Sequence, residues 1–497
     1  TLLSGQMVAL EVDGNTRIAE LRQMAQLKLG RTLVALVTQA GTRLDVFPTL
    51  FSSLCSLGLQ EGSVLTAVSK AGPILQSHRK ASTFAAIRAD GTVITWGHKF
   101  HGGDSRAVRD QLVNVQKIYA TNKALAAVKT DGTVVTWGHA DQGGDSAAVQ
   151  DQLVHVREIF PSMQAFSALR YDGSIVTWGL PSHGGSCKSV AKQLVNVQEV
   201  HATEAAFAAI LEDRSVVTWG HPEQGGDSTA VRHELHDVRS IAASGKAFAA
   251  VRGDGQVLSW GHCEYGGDCS AVSAELQNVR SVHSSSGAFA AIMMDGTVQT
   301  WGHALSGGDC RAVQSQLVDV EQIYVSNKAF AAVTRGGDVV TWGHPLYGGD
   351  SRSAQTQLVR VQQVHAAETA FAAIRDDGSV VTWGHPEYGG VSAAVQDRLR
   401  NVQQIYASLG AFAAIRADGA IATWGHPAYG GDSSIVRDQL FDILEVHASS
   451  GAFAAVRADG VVITWGHPLS GGDSRSVRKQ LAEGLGEAKR ADTSSRD

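Results

Sequence analysis

From residue 80 to residue 482 short apolar runs alternate with polar punctuation, and the whole pattern returns every 41 residues. In the stretch AFAAIRADGAIATWGHPAYGGDSSIVRDQL, which begins at Ala411, two apolar runs flank Asp418-Gly419, the signature of a β-hairpin. Asp-Gly holds this place in eight of the ten copies; Asp213-Arg214 and Gly336-Gly337 stand in the others. Arg214 must adopt a positive φ there, at a cost of about 1 kcal/mol, so that turn is expected to differ. A third apolar run, such as Val402 to Ala407, precedes each hairpin. The pattern therefore predicts three strands per unit. A two-residue turn would set Trp424 opposite Ala413 and Gly425 opposite Phe412, so that each bulky ring meets a small partner. Ile415, Ala413, Ala422 and Trp424 then share one face, and Phe412, Ala414, Ile421 and Thr423 the other. Both faces are largely apolar, which requires a neighbour on each side, as in a propeller blade or a solenoid layer.

All ten tryptophans obey the period, from Trp96 to Trp465, with no residue inserted between them. A feature copied in this way is scaffold before it is chemistry. Phe holds one position in nine units, with Leu125 in the tenth. Two glycines follow each Trp-Gly within a few residues, as at Gly430-Gly431, and suit a tight turn with positive φ. The Asp-Ser after them is placed to cap a short helical turn carrying Val436 and Leu440.

The net charge is -6, and Lys and Arg are scattered, so no basic stripe points to nucleic acid. No apolar run approaches the roughly 18 residues that cross a bilayer. Five cysteines argue against a disulfide framework, and Cys187, Cys269 and Cys310 stand where other units have Ser. A reducing compartment, cytoplasmic or nuclear, is expected.

Histidine offers the tempting chemistry. Nine units carry it two residues after Trp, from His98 to His467, with Leu180 as the exception. A ring of imidazoles could take metal or protons, but a site for one metal rarely needs nine equivalent ligands. A turn residue that caps backbone or stacks on Tyr is the better reading. A second set, His201, His283, Tyr324, His365, Tyr406 and His447, falls on the first strand and reads as amphipathic filler with wet tips. His262, Cys263 and Cys269 have poor metal spacing. The aspartates after Gly-Gly, such as Asp104 and Asp432, are one per unit, too few for a calcium loop, and read as caps. No phosphate loop, G-x-S-x-G or H-E-x-x-H occurs. No catalytic residue, metal or cofactor is expected.

The run I-x-A-S-x-x-A-F-A-A-I-R-x-D-G-x-V-x-T-W-G-x-x-x-Y-G-G resembles the RCC1-like repeat (regulator of chromosome condensation) over Ile74 to about Leu481, most closely in its D-G-x-V-x-x-W-G centre. Here Phe replaces the family's histidine and Gly-Gly its Gly-Gln, and the unit is short. Propellers of this family typically have seven blades, against ten units here. A closed ring, an incomplete ring and an open superhelical stack all satisfy the count, and a propeller is favoured. The resemblance implies a scaffold for protein partners, with variable residues after Trp-Gly-His at the contact surface: Phe100, His101, Leu346, Tyr347, Tyr388 and Tyr429. It also admits guanine-nucleotide exchange on a small GTPase, although that activity uses an inserted wedge. A third option is the non-catalytic part of a ubiquitin ligase, which would require a longer parent chain.

Residues 1–70 follow another pattern. A hairpin over residues 2–12, a helix over 16–29, and strands at Leu33 to Thr38 and Ser63 to Val68 give a ββαββ order. With S-G-x-x-V-x-L-E-V and L-x-E-G-S-x-L-x-A-V, the segment resembles a ubiquitin-like β-grasp domain. The resemblance implies a recognition patch at Leu3, Thr38 and Val68, and partners among ubiquitin or proteasome components. Residues 71–79 are read as linker and first strand, 80–482 as the array, and 483–497 as a disordered tail.

Overall fold

The computed structural model describes residue 21 and residues 33–37, 65–69, 73–78, 80–88 and 90–482. The array is mainly β, with ten antiparallel sheets of three strands each, one per unit. In unit 9 the strands are Val402–Ala407, Ala411–Arg416 and Ile421–Gly425, with the second strand in the middle. Each sheet is open and ends at its own third strand; units join by packing, not by shared ladders. Short 3-10 turns, Pro427–Tyr429 and Ser434–Gln439 after unit 9, form the connector to the next unit.

The hairpin register differs by one residue from the expected one. Phe412 lies directly opposite Trp424, Ala413 opposite Thr423, and Ala414 opposite Ala422. The cause is the turn. Gly419 N–H donates to Arg416 and Arg416 N–H to Ala420, so the loop holds three residues, with Gly419 at φ 74 closing it. This is a type I turn ending in a left-handed bulge residue, not a two-residue turn. Arg214 does adopt a positive φ, 63, yet its turn has the same bonds as the others.

The faces regroup accordingly. Phe412, Ala414, Ala422 and Trp424 pack on Ala370, Ala372, Ile374 and Val380 of unit 8. Ala411, Ala413, Ile415 and Ile421 turn to Phe453, Ala455 and Trp465 of unit 10. Both faces are apolar and sandwiched, as the pattern required. Phe and Trp are not each opposite a small residue, however; they stack on each other, with centroids 5.2 Å apart in unit 9.

The room for those rings comes from the preceding connector. Gly389 has φ 104, and a Cβ on it would lie 2.6 Å from the Phe412 ring. Its carbonyl accepts the Trp424 indole N–H at 3.1 Å. One glycine therefore supplies a left-handed turn, space for the next unit's Phe and an acceptor for its Trp. The same indole bond recurs at every junction, and the tenth instance runs from Trp96 to Gly471 at 3.0 Å.

Unit 10 thus meets unit 1 as any unit meets its successor. Phe84, Ala86, Ile94 and Trp96 pack on Ala452, Ala454 and Val456, and Leu481 of the last connector completes that cluster. The turn after each first strand adds a backbone link: Asn122 N–H donates to Met163, Met163 to Glu204, and so on to Ser450, which donates to Ala81. Nine such bonds of 2.9–3.2 Å are made. At Ala81 the N–H turns to His78 instead. The reason is an insertion: Leu75 pairs with Ala86 as Ile118 pairs with Ala127, so unit 1 carries two extra residues between its first two strands. The tryptophan spacing does not register it, because it precedes Trp96.

Towards the N-terminus, Leu33–Val37 pairs antiparallel with Thr66–Ser69, and Ala35 lies opposite Val68. These are the last two strands of the expected order. The hairpin at 2–12, the helix at 16–29 apart from Leu21, and the tail at 483–497 lie outside the described residues, as do Leu3 and Thr38.

Candidate interaction site on the connector face

Each connector leaves the third strand at Trp-Gly-His, or Trp178-Gly179-Leu180 in unit 3, and turns back at Gly-Gly, so residues between these anchors project from a fixed frame. Phe100 and Leu346 project into solvent, at 67% and 54% exposed. His101 is half-buried and stacks on His98, with centroids 3.7 Å apart. Burial, with smaller contributions from His98, Lys123 and His139, lowers its pKa to about 4, so the ring is neutral at pH 7. Tyr347 meets His344 edge-on at 5.0 Å and lies under the Lys328 ammonium at 5.2 Å. Tyr388 stacks on His426 at 5.2 Å and meets Tyr429 edge-on at 5.8 Å. The structure therefore joins Tyr388 and Tyr429 with two histidines, and places Phe100 and Leu346 elsewhere on the connectors. Val68 belongs to the N-terminal strand pair.

The histidines behave as turn residues. His344 and His426 accept the backbone N–H two residues on, each at 3.2 Å, and four of the series meet a tyrosine edge-on. Among the described residues no group of three or more His, Cys, Asp or Glu is placed to hold a metal. The first-strand rings fill gaps between units: the hydroxyl of Tyr324 bonds to Gln322 at 2.9 Å, and burial raises the pKa of Tyr324 and lowers that of His365. Cys187, Cys269 and Cys310 are buried free thiols, as small-residue swaps should be.

The aspartates after Gly-Gly are caps in all eight units that have them, accepting the N–H two residues on at 2.8–3.1 Å. The serine that follows six of them is not the cap; Ser433 bonds to Thr423 at 2.9 Å, inside the unit. In four units an arginine also chelates the aspartate: Arg106, Arg311, Arg352 and Arg475. The guanidinium bond, reinforced by the backbone bond and charge, holds Asp104 and Asp309 at about 2. A carboxyl group lowered below its usual 3.8 contributes stability above that pH and loses it as pH falls towards 2. Replacing Arg106 by Ala should raise the Asp104 pKa while leaving the other aspartates unmoved. A carbon-detected NMR titration in which Asp104 still titrates near 2 would refute this account.

Sequence reading missed one local signal. In units 2 to 10 the residue before the first strand is left-handed, φ 50–57, and is usually Asn or Asp, with His155 and Arg360 as exceptions. Asn and Asp tolerate that region best, so Leu-x-Asn-Val was the legible mark of strand entry.

Comparison with known proteins adds fold-level likeness only. No family model matches the sequence, and no curated protein matches it. Solved structures of RCC1-repeat type are distantly similar. Prp20p from Saccharomyces cerevisiae is 13% identical, with 63% of this chain and 88% of that one covered, at a TM-score of 0.33. Human WBSCR16 is 16% identical over 63% of this chain and 89% of its own, at 0.32. The CRINKLY WD40 ectodomain of the Arabidopsis thaliana receptor kinase ACR4 is 14% identical over 55% of this chain and 95% of its own, at 0.31. Among the described residues no helix is long and apolar enough to cross a membrane.

Proposed function

We propose that this chain is a non-enzymatic scaffold for protein partners, whose ten units work as one propeller-like ring in the cytoplasm or nucleus. The observation that carries the reading is the contrast between frame and projections. Trp, Phe and Gly-Gly repeat with fixed bonds, while the side chains they present, such as Phe100 and Leu346, are exposed and differ from unit to unit. Constant packing with variable exposed residues suits recognition rather than catalysis. The Trp96–Gly471 bond supports a ring over an open stack. The N-terminal segment, read as ubiquitin-like, would link bound partners to the ubiquitin system; the antiparallel pair Leu33–Val37 and Thr66–Ser69 is consistent with that order.

The test uses the full chain. Photo-crosslinkers placed at Leu346 and Phe100 should capture proteins from a cell lysate that the same probes at buried-strand neighbours do not. Capture should fall when Tyr388 and Tyr429 are replaced by Ala. Acceleration of nucleotide release across a panel of small GTPases would favour exchange activity and overturn the scaffold reading.

A further inference from the structure

Four connectors expose a large apolar side chain four residues after Trp: Phe100, Leu305, Leu346 and Leu469, each more than half exposed. Their positions are not scattered. Leu305 and Leu346 belong to consecutive units 6 and 7. Leu469 and Phe100 belong to units 10 and 1, which are neighbours because Trp96 bonds to Gly471. The connector face thus carries two apolar pairs.

The same four units are the ones whose capping aspartate is chelated by arginine, at 2.5–2.6 Å. Chelation neutralises and covers the carboxylate, and those aspartates are only half-exposed. Each apolar residue therefore lies beside a carboxylate that arginine has neutralised; the connectors of units 6 and 7 carry no net charge, and those of units 1 and 10 are basic. Units 2, 4 and 5 are the reverse. They carry Asp141, Glu223 and Glu264 at the apolar position and Asp145, Asp227 and Asp268 as caps without arginine, all six exposed. Unit 3, between them, has Ser182 and Ser186 at these two positions and exposed Lys188 and Lys192 further along its connector. In unit 8 Glu387 and Val391 occupy the two positions, and with Val395 of the same connector and Trp424, His426 and Pro427 of unit 9 they help to line a cavity of about 520 Å³.

We propose that the two apolar pairs anchor a partner protein segment with basic residues at its centre and apolar side chains at both ends. This rests on the scaffold reading above and specifies its partner. Charge complementarity chooses the occupant: between the apolar anchors lies an arc in which the six unchelated carboxylates of units 2, 4 and 5 outnumber the two lysines of the unit 3 connector, and this acidic excess repels an acidic segment and attracts a basic one. The anchors supply binding by burial, and the carboxylates supply orientation and salt dependence.

The probe is a synthetic peptide with leucines at both ends and lysines between them, labelled for fluorescence anisotropy and mixed with the full chain. Wild type should bind it, more weakly as salt is raised. The charge reversal Asp141→Lys with Glu223→Lys and Glu264→Lys should weaken binding by about tenfold or more and flatten the salt dependence. Leu305→Ser with Leu346→Ser should weaken it by about tenfold and leave the salt slope unchanged. Ala428→Lys, outside the arc, is the control and should change little. These positions are exposed, so circular dichroism should be unaltered. Equal binding by wild type and both variants would overturn the proposal, as would equal affinity for a peptide with serines at its ends. Full displacement by spermine would assign the arc to a small polyamine instead. If the charge-reversed chain still captures the lysate proteins that wild type captures, the scaffold reading stands and this inference fails. If wild type captures none, both fail.

Discussion

Replacing Phe412 by Ala should destabilise units 8 and 9 by about 3–5 kcal/mol, the cost of deleting a fully buried aromatic ring. Phe412 has no exposed surface. It stacks on Trp424, fills the space left by Gly389 and touches the Ala-rich face of unit 8. The small residues around it, Ala370, Ala372, Ala414 and Ala422, have no longer side chains to swing into the void. Relaxation is therefore limited, which places the cost at the upper end of the range. Urea unfolding followed by tryptophan emission should show a lower midpoint. Hydrogen exchange should locate the loss at Ala370 to Gly425, because each unit contacts only its neighbours. The natural comparison is Leu125 in unit 2, which sits against Gly102 in the same place; Phe412→Leu should cost much less. A Phe412→Ala chain with an unchanged midpoint would remove the stacked pair from the account of stability.

The repeat, the three strands and the double-sided apolar face were legible because each rests on periodicity, which survives without knowledge of packing. The register was not. Asp418-Gly419 is compatible with a two-residue turn and with a three-residue turn that starts at Ala417, and the two differ by one residue in every cross-strand pair. Choosing the shorter turn put Trp424 opposite Ala413 and hid the Phe–Trp stack. Gly389 was legible as a glycine needing positive φ, but its second task, making room for a ring 23 residues on, belongs to the junction between units and leaves no local trace.

The same division runs through the candidate site. Phe100 and Leu346 could be picked out as departures from the repeat, and they are exposed. Their grouping with Leu469 and Leu305 could not, since it depends on unit 10 meeting unit 1 and on which aspartates bind arginine. The two-residue insertion in unit 1 leaves no mark on the tryptophan spacing, because it lies before Trp96. Leu3 and Thr38 lie outside the described residues, so the suggested N-terminal patch rests on the resemblance alone.

Ending the chain after Ser470 should unfold unit 1, at the opposite end of the sequence. The deleted connector does for unit 1 what each connector does for the unit after it. Gly471 accepts the Trp96 indole, Leu481 and Val477 pack on Leu75, Ile94 and Trp96, and Gln480 accepts a bond from Arg88 at 2.8 Å. Loss of the acceptor leaves a buried N–H without a partner, at about 1–3 kcal/mol. Loss of Leu481, itself 6% exposed, adds about 2–5 kcal/mol. In an open stack the deletion would loosen unit 10 alone, because terminal repeats depend only on the neighbour before them. In a ring it removes part of the first unit's core and separates both ends together. Hydrogen exchange on the truncated chain distinguishes the two outcomes. Loss of protection across Ile74–Ser77, Thr83–Ile87 and Val93–Gly97, with unit 5 unchanged, is the expected result. Loss confined to Ile443–Ala448 and its two partner strands would mean that the junction between units 10 and 1 contributes nothing to stability in solution.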